Sequence, residues 1–526
     1  MTAMTFMLAA RGAEEDADAA AAMVKKSGYP VVTKPLTLEF FSPKHDYHEK
    51  YEDLIWAEEM EKRTGITVEW NEVNWNDART RVNTMLAAGD LMDVFFRCAI
   101  GEAELVRYGS EGLFKPLNNY IRDGWMPALD GWFTEYPSVK AASTMPDGNV
   151  YGCPYIIDIP SVNVGYKIFV NTEHLANLGL DIPTTTEEFY DVLKAVKEGD
   201  ANGNGDPNDE VPFAATRMKN IVWCLAGSWG LANHGIRRHN FVDTEPGTDT
   251  LRFFAIDPMY EDYMTYLHTL YAEGLIDQEI WTVEKNKNIL YEKLADGLVT
   301  FLIENDTARI GPDHVDEYVG IPEYFEGPAG DDLYVPIGTP HAGNGNFVIT
   351  KDNKYPEAAA RWADYLYTEE GIKLFFMGVE GVSFVKTATG GIEYSEQIMN
   401  DPDGLDYVQA SGKYTPWPGG RNPTVVMNPY FKAEAIGVPA EAAESMYPYI
   451  PTDVWPYFTF KLEELSDYTA LKGDIEAYVW ENTYAFIKGD VPLSDWSKYV
   501  NQVEALGLDR YLEIYTAAYK RYKASL

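Results

Sequence analysis

The eleven residues Asp200–Glu210, DANGNGDPNDE, carry seven Asp, Asn and Glu side chains and two glycines. Asp200, Asn202 and Asn204 alternate, the spacing by which an extended loop turns successive oxygens towards one cation. Gly205 permits a sharp turn, Asp206 can offer its backbone carbonyl, and Asp209 or Glu210 can complete the charge. Such a donor set suits calcium, which takes about 6–8 hard oxygen ligands. The twelfth position, where an EF-hand places a bidentate glutamate, is Val211, so the loop is not an EF-hand. An Asx-rich turn without a metal is the competing reading, because Asn and Asp side chains also bond their own backbone.

Other reactive constellations are missing. The chain has no HExxH zinc motif, no GxSxG nucleophile elbow and no phosphate-cradling GxxxxGK[ST] loop. A glycoside hydrolase needs two carboxylates roughly 5–9.5 Å apart across the scissile bond. With 82 acidic residues any pair could be nominated, and no local motif marks one. Cys98, Cys153 and Cys224 are far apart and form no CxxC or Cys/His cluster, which argues for three buried thiols rather than a zinc ribbon or a disulfide framework. A net charge of −39 repels nucleic acid and anionic lipid and suits an uncharged ligand.

The elements that would position these residues alternate in type. LTLEFF (Leu36–Phe41) reads as a strand, Glu49–Arg63 as a helix closed at Gly65, ITVEW as a strand, and DARTRVNTMLAAG as a helix closed at Gly89. MDVFF follows as a strand, and this short-looped alternation predicts a parallel sheet covered by helices. Further on, Thr184 or Thr185 caps a helix, with Glu187 or Glu188 closing a capping box and Phe189, Val192, Leu193 and Val196 on one face. YPEAAARWADYLYTEEG reads as one helix from Pro356 to Gly371, and Ser494–Tyr522 as helical with Trp496, Tyr499, Tyr515 and Tyr519. Residues 400–456 are rich in Pro, Gly, Tyr and Trp and read as loops. At 526 residues, two α/β lobes are the economical account.

Several segments, in order, resemble the extracellular solute-binding proteins of family 1, the large lipoprotein-type sugar-binding components of ABC importers common in Gram-positive bacteria. They are RVNTMLAAGDLMDVFF, EGLFKPLNNYI, DGNVYGCPYI, FVNTEHLANLGLDIPTTTEEFYDVLKAVKEGDANGNGDPNDEVPF, DYLYTEEGIKLFFMGVEGVSF and FIKGDVPLSDWSKYVNQVEALGLDRYLEIYTAAYKRY. The resemblance implies an α/β periplasmic-binding-protein-like fold of type II, with a ligand cleft between two lobes joined by crossovers. It places 34–159 with 344–400 in lobe 1 and 160–343 with 401–526 in lobe 2, after a disordered leader or tether over 1–33. It also implies a structural calcium ion in the Asp200 loop, no organic cofactor, and no catalysis. LAARG, Leu8–Gly12, resembles a lipobox with Arg11 in place of the lipidated cysteine. The expected setting is the surface of a Gram-positive bacterium, with a monomer peripheral to the membrane that meets the importer's permease subunits and no nucleic acid.

An oligosaccharide, expected to be neutral, needs rings for its C–H faces and paired polar groups for its hydroxyls. Candidates after strand ends and at the crossovers are Arg97, Tyr155, Asp158, Trp223, Trp229, Glu304, Asp306 and Trp417. Trp281 is left out, because GLIDQEIWT resembles a family segment with a packed aromatic there. The alternatives are a peptide-binding transport component and an extracellular glycoside hydrolase.

Overall fold

The computed structural model describes residues 23–432, 435 and 437–526. The Arg11 motif and the first 22 residues of the expected leader lie outside the described residues. Following the chain, the strands are β1 (Leu36–Lys44), β2 (Ile66–Asn74), β3 (Val94–Phe96), β4 (Cys153–Ile157), β5 (Lys167–Asn171) and β6 (Val211–Ala215). A hairpin of β7 (Val242–Thr244) and β8 (Leu251–Phe253) comes next, then β9 (Val299–Glu304), β10 (Tyr318–Gly320) and β11 (His341–Ile349). A second hairpin, β12 (Phe384–Lys386) with β13 (Ile392–Tyr394), precedes the short β14 (Val425–Val426).

Two sheets organise two lobes. The first has the order β14-β4-β11-β3-β1-β2 and the second β10-β5-β9-β6. β1 runs parallel to both β2 and β3, as the strand–helix alternation predicts. The central strands of both sheets are buried on both faces. In the first, Phe40, Phe96 and Phe347 point into one core, while their neighbours Phe41, Phe95 and Val348 point into the opposite one. In the second, Ile168, Phe213 and Phe301 face the larger core and Phe169, Ala214 and Leu302 the smaller. Continuous apolar runs such as VFF and TFLI have this origin: a strand covered by helices on both sides has no polar face to show.

Local chemistry closes the helices where the spacing predicts. Gly65 and Gly89 both take left-handed backbone after the helices Ile55–Thr64 and Ala78–Ala88. Thr185 caps the helix Thr186–Glu198 by accepting from Glu188 N, and the Glu188 carboxylate accepts from Thr184 N at 2.9 Å. Elsewhere tertiary contacts intervene. The helix expected from Pro356 to Gly371 is two helices, Pro356–Tyr365 and Glu369–Met377, because Thr368 starts a new cap by accepting from Gly371 N. A Cβ at Gly371 would stand 1.8 Å from Tyr365 O, so glycine there serves the close turn rather than a helix end. The helix expected over 49–63 begins only at Ile55, after a 3-10 turn over Tyr51–Asp53.

Two expected boundaries are corrected. Order begins before residue 34: Val24 bridges Val32, Val31 is buried, and Arg361 donates to Gly28 O at 3.1 Å, so the segment from Met23 is stitched into lobe 1. The return to lobe 2 does not occur near Asn400. Residues 401–431 stay with lobe 1, because β14 pairs with β4 and Trp417, Tyr430 and Phe431 fill the lobe 1 core. The C-terminal helices Leu462–Lys488 and Leu508–Ser525 belong to lobe 2, and they reach across to the lobe 1 helices Glu102–Ser110 and Pro137–Ser143. Among the described residues no helix is long and apolar enough to cross a membrane.

Lobe 2 is braced by Arg252. Its guanidinium donates to Asp243 at 2.6 and 3.0 Å, to Asp257 at 3.0 Å and to Gly230 O at 2.9 Å, tying the β7–β8 hairpin to the helix Pro258–Ala272. Asp243 is fully buried, so Arg252→Met should leave an uncompensated charge and destabilise lobe 2 by about 3–5 kcal/mol in urea denaturation. An unchanged unfolding midpoint would show that the pair is dispensable.

Candidate ligand cleft between the lobes

Ligands of open α/β sheets sit outside the carboxyl ends of parallel strands. Here three such ends meet on lobe 1: β1 delivers His45 and Tyr47, β2 delivers Trp75, and β3 delivers Arg97. Their side chains form a column. The Trp75 and His45 rings stack at 3.9 Å, His45 and Tyr47 at 4.9 Å with planes 8° apart, and Arg421 lies over the Trp75 ring at 4.2 Å, with Arg97 at 5.5 Å from the same ring. Burial, reinforced by Arg97 and Arg421, lowers the His45 pKa to about 4, so the ring in the column is neutral at physiological pH.

Lobe 2 answers with the ends of β6 and β9. Glu304 closes β9, and burial raises its pKa above the usual carboxylate range. Asn305 accepts from Tyr166 N at 3.2 Å and Asp306 accepts from Ala308 N at 2.8 Å, so the loop is held by its own side chains. Trp223 stands 6.3 Å from the Tyr166 ring under the Lys219 ammonium, and its indole N–H has no partner among the described residues. Between the lobes is a cavity of about 620 Å³, with Tyr47 and Asp406–Gln409 on the lobe 1 side and Tyr291, Glu304 and Asp306 on the other. Cations line it as well, in Lys287 and Arg309.

Backbone strain recurs beside the column. Six non-glycine residues among those described have positive φ; of these Arg97 (57°) and Ala99 (48°) follow β3, Tyr166 (49°) precedes β5, and Arg421 (57°) lies over Trp75. Strain of this kind persists where the surroundings over-determine a functional geometry.

The sequence-derived candidates divide. Glu304 and Asp306 line the cavity, and Trp223 lies beside Tyr166, whose N–H donates to Asn305 between them. Tyr155 and Asp158 lie at the first crossover, half-buried, and Asp158 accepts a hydrogen bond from the Tyr136 hydroxyl. Arg97 is completely buried and donates to Tyr51 Oη at 3.0 Å and to the carbonyls of Pro418 and Gly420 at 2.8 and 2.6 Å, so it shapes the wall from behind. Trp229 and Trp417 are corrections. Trp229 is 3% exposed and packs on Tyr263 and Tyr266, each at 4.8 Å. Trp417 is 5% exposed, wedged between Phe376 and Phe431. Neither ring is available to a ligand. Tyr47, His45, Trp75 and Arg421 were absent from the candidates; the rule that picks residues after strand ends would have found the first three.

The Asp200 loop lies away from this cleft, at the exit of the helix Thr186–Glu198. Gly205 N donates to Asp200 Oδ2 at 3.0 Å, Ala201 N to Glu210 Oε1 at 2.8 Å, and Asn204 Nδ2 to Asp209 at 2.6 Å. The second oxygen of each of two carboxylates, Asp200 Oδ1 and Glu210 Oε2, is buried without a hydrogen-bond partner. Among the described residues no three His, Cys, Asp or Glu side chains are gathered as a ligand set, so amide and backbone oxygens would have to complete any cation shell. The three cysteines are buried and free.

The profile of the bacterial extracellular solute-binding proteins matches residues 45–373. The chain is 25% identical to the fructooligosaccharide ABC transporter substrate-binding protein FusA of Streptococcus pneumoniae, over 100% of this chain and 97% of that one. It is 23% identical to the polygalacturonan/rhamnogalacturonan-binding protein YtcQ of Bacillus subtilis, over 91% and 90%. In structure it resembles FusA in complex with kestose at a TM-score of 0.74, with 23% identity over 93% of this chain and 100% of that one. FusA has also been solved as an EF-hand mutant. A solute-binding protein for human milk oligosaccharides from Bifidobacterium longum infantis matches at a TM-score of 0.78, with 22% identity over 93% and 99%.

Because their rings are core, Trp229→Ala and Trp417→Ala should each cost about 3–5 kcal/mol of stability. The measurement is the urea unfolding midpoint; a midpoint equal to that of the unaltered protein would put the rings back in the cleft wall.

Proposed function

The chain belongs to the bacterial extracellular solute-binding proteins, and from that premise we propose that it captures an oligosaccharide between its lobes and hands it to an ABC importer. The observation that carries this reading is the cleft itself. One end of an aromatic column, Tyr47, lines a cavity whose opposite wall carries Glu304 and Asp306. Sugars need such a pairing, with a ring face for C–H groups and carboxylates to accept hydroxyl protons. Cavities of roughly 300–1,000 Å³ hold drug-sized ligands, so about 620 Å³ suits a short oligosaccharide rather than a single sugar. Charges of both signs line it, which favours a neutral ligand. The protein acts without chemistry, outside the cell, as a monomer that docks on the importer's permease subunits at the surface of a Gram-positive bacterium.

Capture works by closure. Contacts made by both lobes exist only in the shut state, so a ligand shifts the population towards it. Titration with fructooligosaccharides, milk oligosaccharides and oligogalacturonides should find at least one that changes tryptophan fluorescence, since Trp75 and Trp223 stand at the cleft. X-ray scattering should then show a smaller radius of gyration, and chromatography should return the sugar intact. Hydrolysis that follows the purified protein and vanishes with Glu304→Gln would replace transport by glycosidase activity.

The Asp200 loop fits a structural calcium ion. Two buried carboxylate oxygens without donors, from Asp200 and Glu210, are costly unless a cation meets them. Asp200, Asn202, Asn204, Asp209 and Glu210, with the Asp206 carbonyl, would hold it. An ion so placed would clamp the exit of the helix Thr186–Glu198 to the start of β6. Calcium should therefore raise the melting temperature relative to chelator, by mass action on the folded state, and Asp200→Ala should abolish the difference. Equal melting with and without calcium would leave the loop a plain Asx turn.

A further inference from the structure

Arg421 ends a run of three left-handed residues, after Gly419 (φ 89°) and Gly420 (φ 77°). Glycine takes this backbone freely, whereas an arginine is strained there. The strain serves no need of the loop. Arg97 donates to Trp417 O, Pro418 O and Gly420 O, and the Asn422 amide, turned so that its nitrogen faces the loop, donates to Gly420 O at 2.9 Å. Gly419 itself packs so closely on His45 that a Cβ would stand 2.2 Å from Nε2. The turn is thus fixed by other residues, and a third glycine would suit it better than arginine.

The Arg421 side chain has no such employment. Among the described residues its guanidinium has neither an ion pair nor a hydrogen bond; it lies on the face of Trp75 at 4.2 Å. It is half-buried, and the adjacent Arg97 has no acidic partner either. Arg79, the next cation in that wall, is already paired with Glu104. Two guanidinium groups without a carboxylate, in a chain of net charge −39, stand where desolvation makes an unpaired cation expensive. Burial and Arg97 both lower the Arg421 pKa. Trp75 and His45 connect this cation to Tyr47, which lines the cavity.

We infer that Arg421 is a specificity-determining residue of the cleft, its guanidinium fork held over Trp75 to receive two adjacent oxygens of a sugar ring. A vicinal pair of hydroxyls or a ring carboxylate presents that pair; a lysine, being a point charge, cannot match it. This inference rests on the carbohydrate reading of the cleft.

Arg421→Gly and Arg421→Lys test it, with isothermal titration of kestose, a milk tetrasaccharide and trigalacturonate at low and high salt, and melting curves alongside. Arg421→Gly removes both the strain and the fork, so it should melt no lower than the unaltered protein while binding weakens by about tenfold to a hundredfold. Arg421→Lys should weaken binding by a similar factor. Loss of affinity at high salt, confined to trigalacturonate, would mark the carboxylate; salt-independent binding of a neutral sugar would mark the hydroxyl pair. Arg421→Gly that binds within about twofold, or that melts lower and is rescued by lysine in both respects, overturns the inference alone. An unaltered protein that binds none of the three sugars overturns the carbohydrate reading, and this inference with it.

Discussion

Arg97 carries a full charge into a region from which water is excluded, and the lobe 1 wall is arranged around satisfying it. It leaves the carboxyl end of β3 in left-handed backbone, and its two terminal nitrogens donate to a tyrosine hydroxyl and to carbonyls of the loop 417–420, the latter more than three hundred residues later in the chain. A buried guanidinium without those acceptors would be strongly destabilising. The reciprocal holds for the loop, whose carbonyls would otherwise lose water without replacement. One side chain thus joins the end of a central strand to the segment that bears Arg421, and the column of Arg421, Trp75, His45 and Tyr47 inherits its position from that joint.

Each lobe has its own cores on the two sides of its sheet, and the C-terminal helices of lobe 2 also touch lobe 1. Two lobes joined by crossovers and by the C-terminal helices suit the proposed hinge closure, a change in the angle between them. The cleft sits where that angle matters most. Its polar groups are mostly held by local bonds, such as Asp306 to Ala308 N and Asn305 to Tyr166 N, which keeps side chains from collapsing onto one another in the open state. Preorganisation of this kind reduces the ordering cost of binding and so favours capture that is tight yet reversible.

Aromatic residues are abundant, and the fold uses them in two ways. Most knit the cores: Trp56, Trp362 and Trp455 are fully buried. A minority reach the cleft, and these are half-buried rings that follow strand ends. Their neighbours decide their chemistry. His45 is kept neutral by burial and two arginines, so the column is a stack of flat neutral rings with the guanidinium groups of Arg421 and Arg97 beside Trp75.

Short-range patterns were legible in the sequence. Alternation of strands and helices, the glycine ends at Gly65 and Gly89, the Thr185 cap and the Asx-rich loop all depend on residues within a few positions of one another, and the structure contains each of them. The two-lobed α/β architecture was legible too, through the order of segments shared with a known family. Tertiary structure alone decided which rings face solvent. Trp229 and Trp417 look like ligand platforms in their glycine- and proline-rich loops, yet each is buried by partners distant in sequence, Tyr263 and Tyr266 for one and Phe376 for the other. Nothing local distinguishes them from Trp75, which ends at the cleft because β2 is parallel to β1 and in register with it. The span 401–431 remains with lobe 1 because two residues of β14 find the free edge of β4, a pairing too short to leave a periodic signal. Burial is a property of the assembled packing, so composition could propose aromatic residues for the cleft but only the meeting of distant segments could assign them.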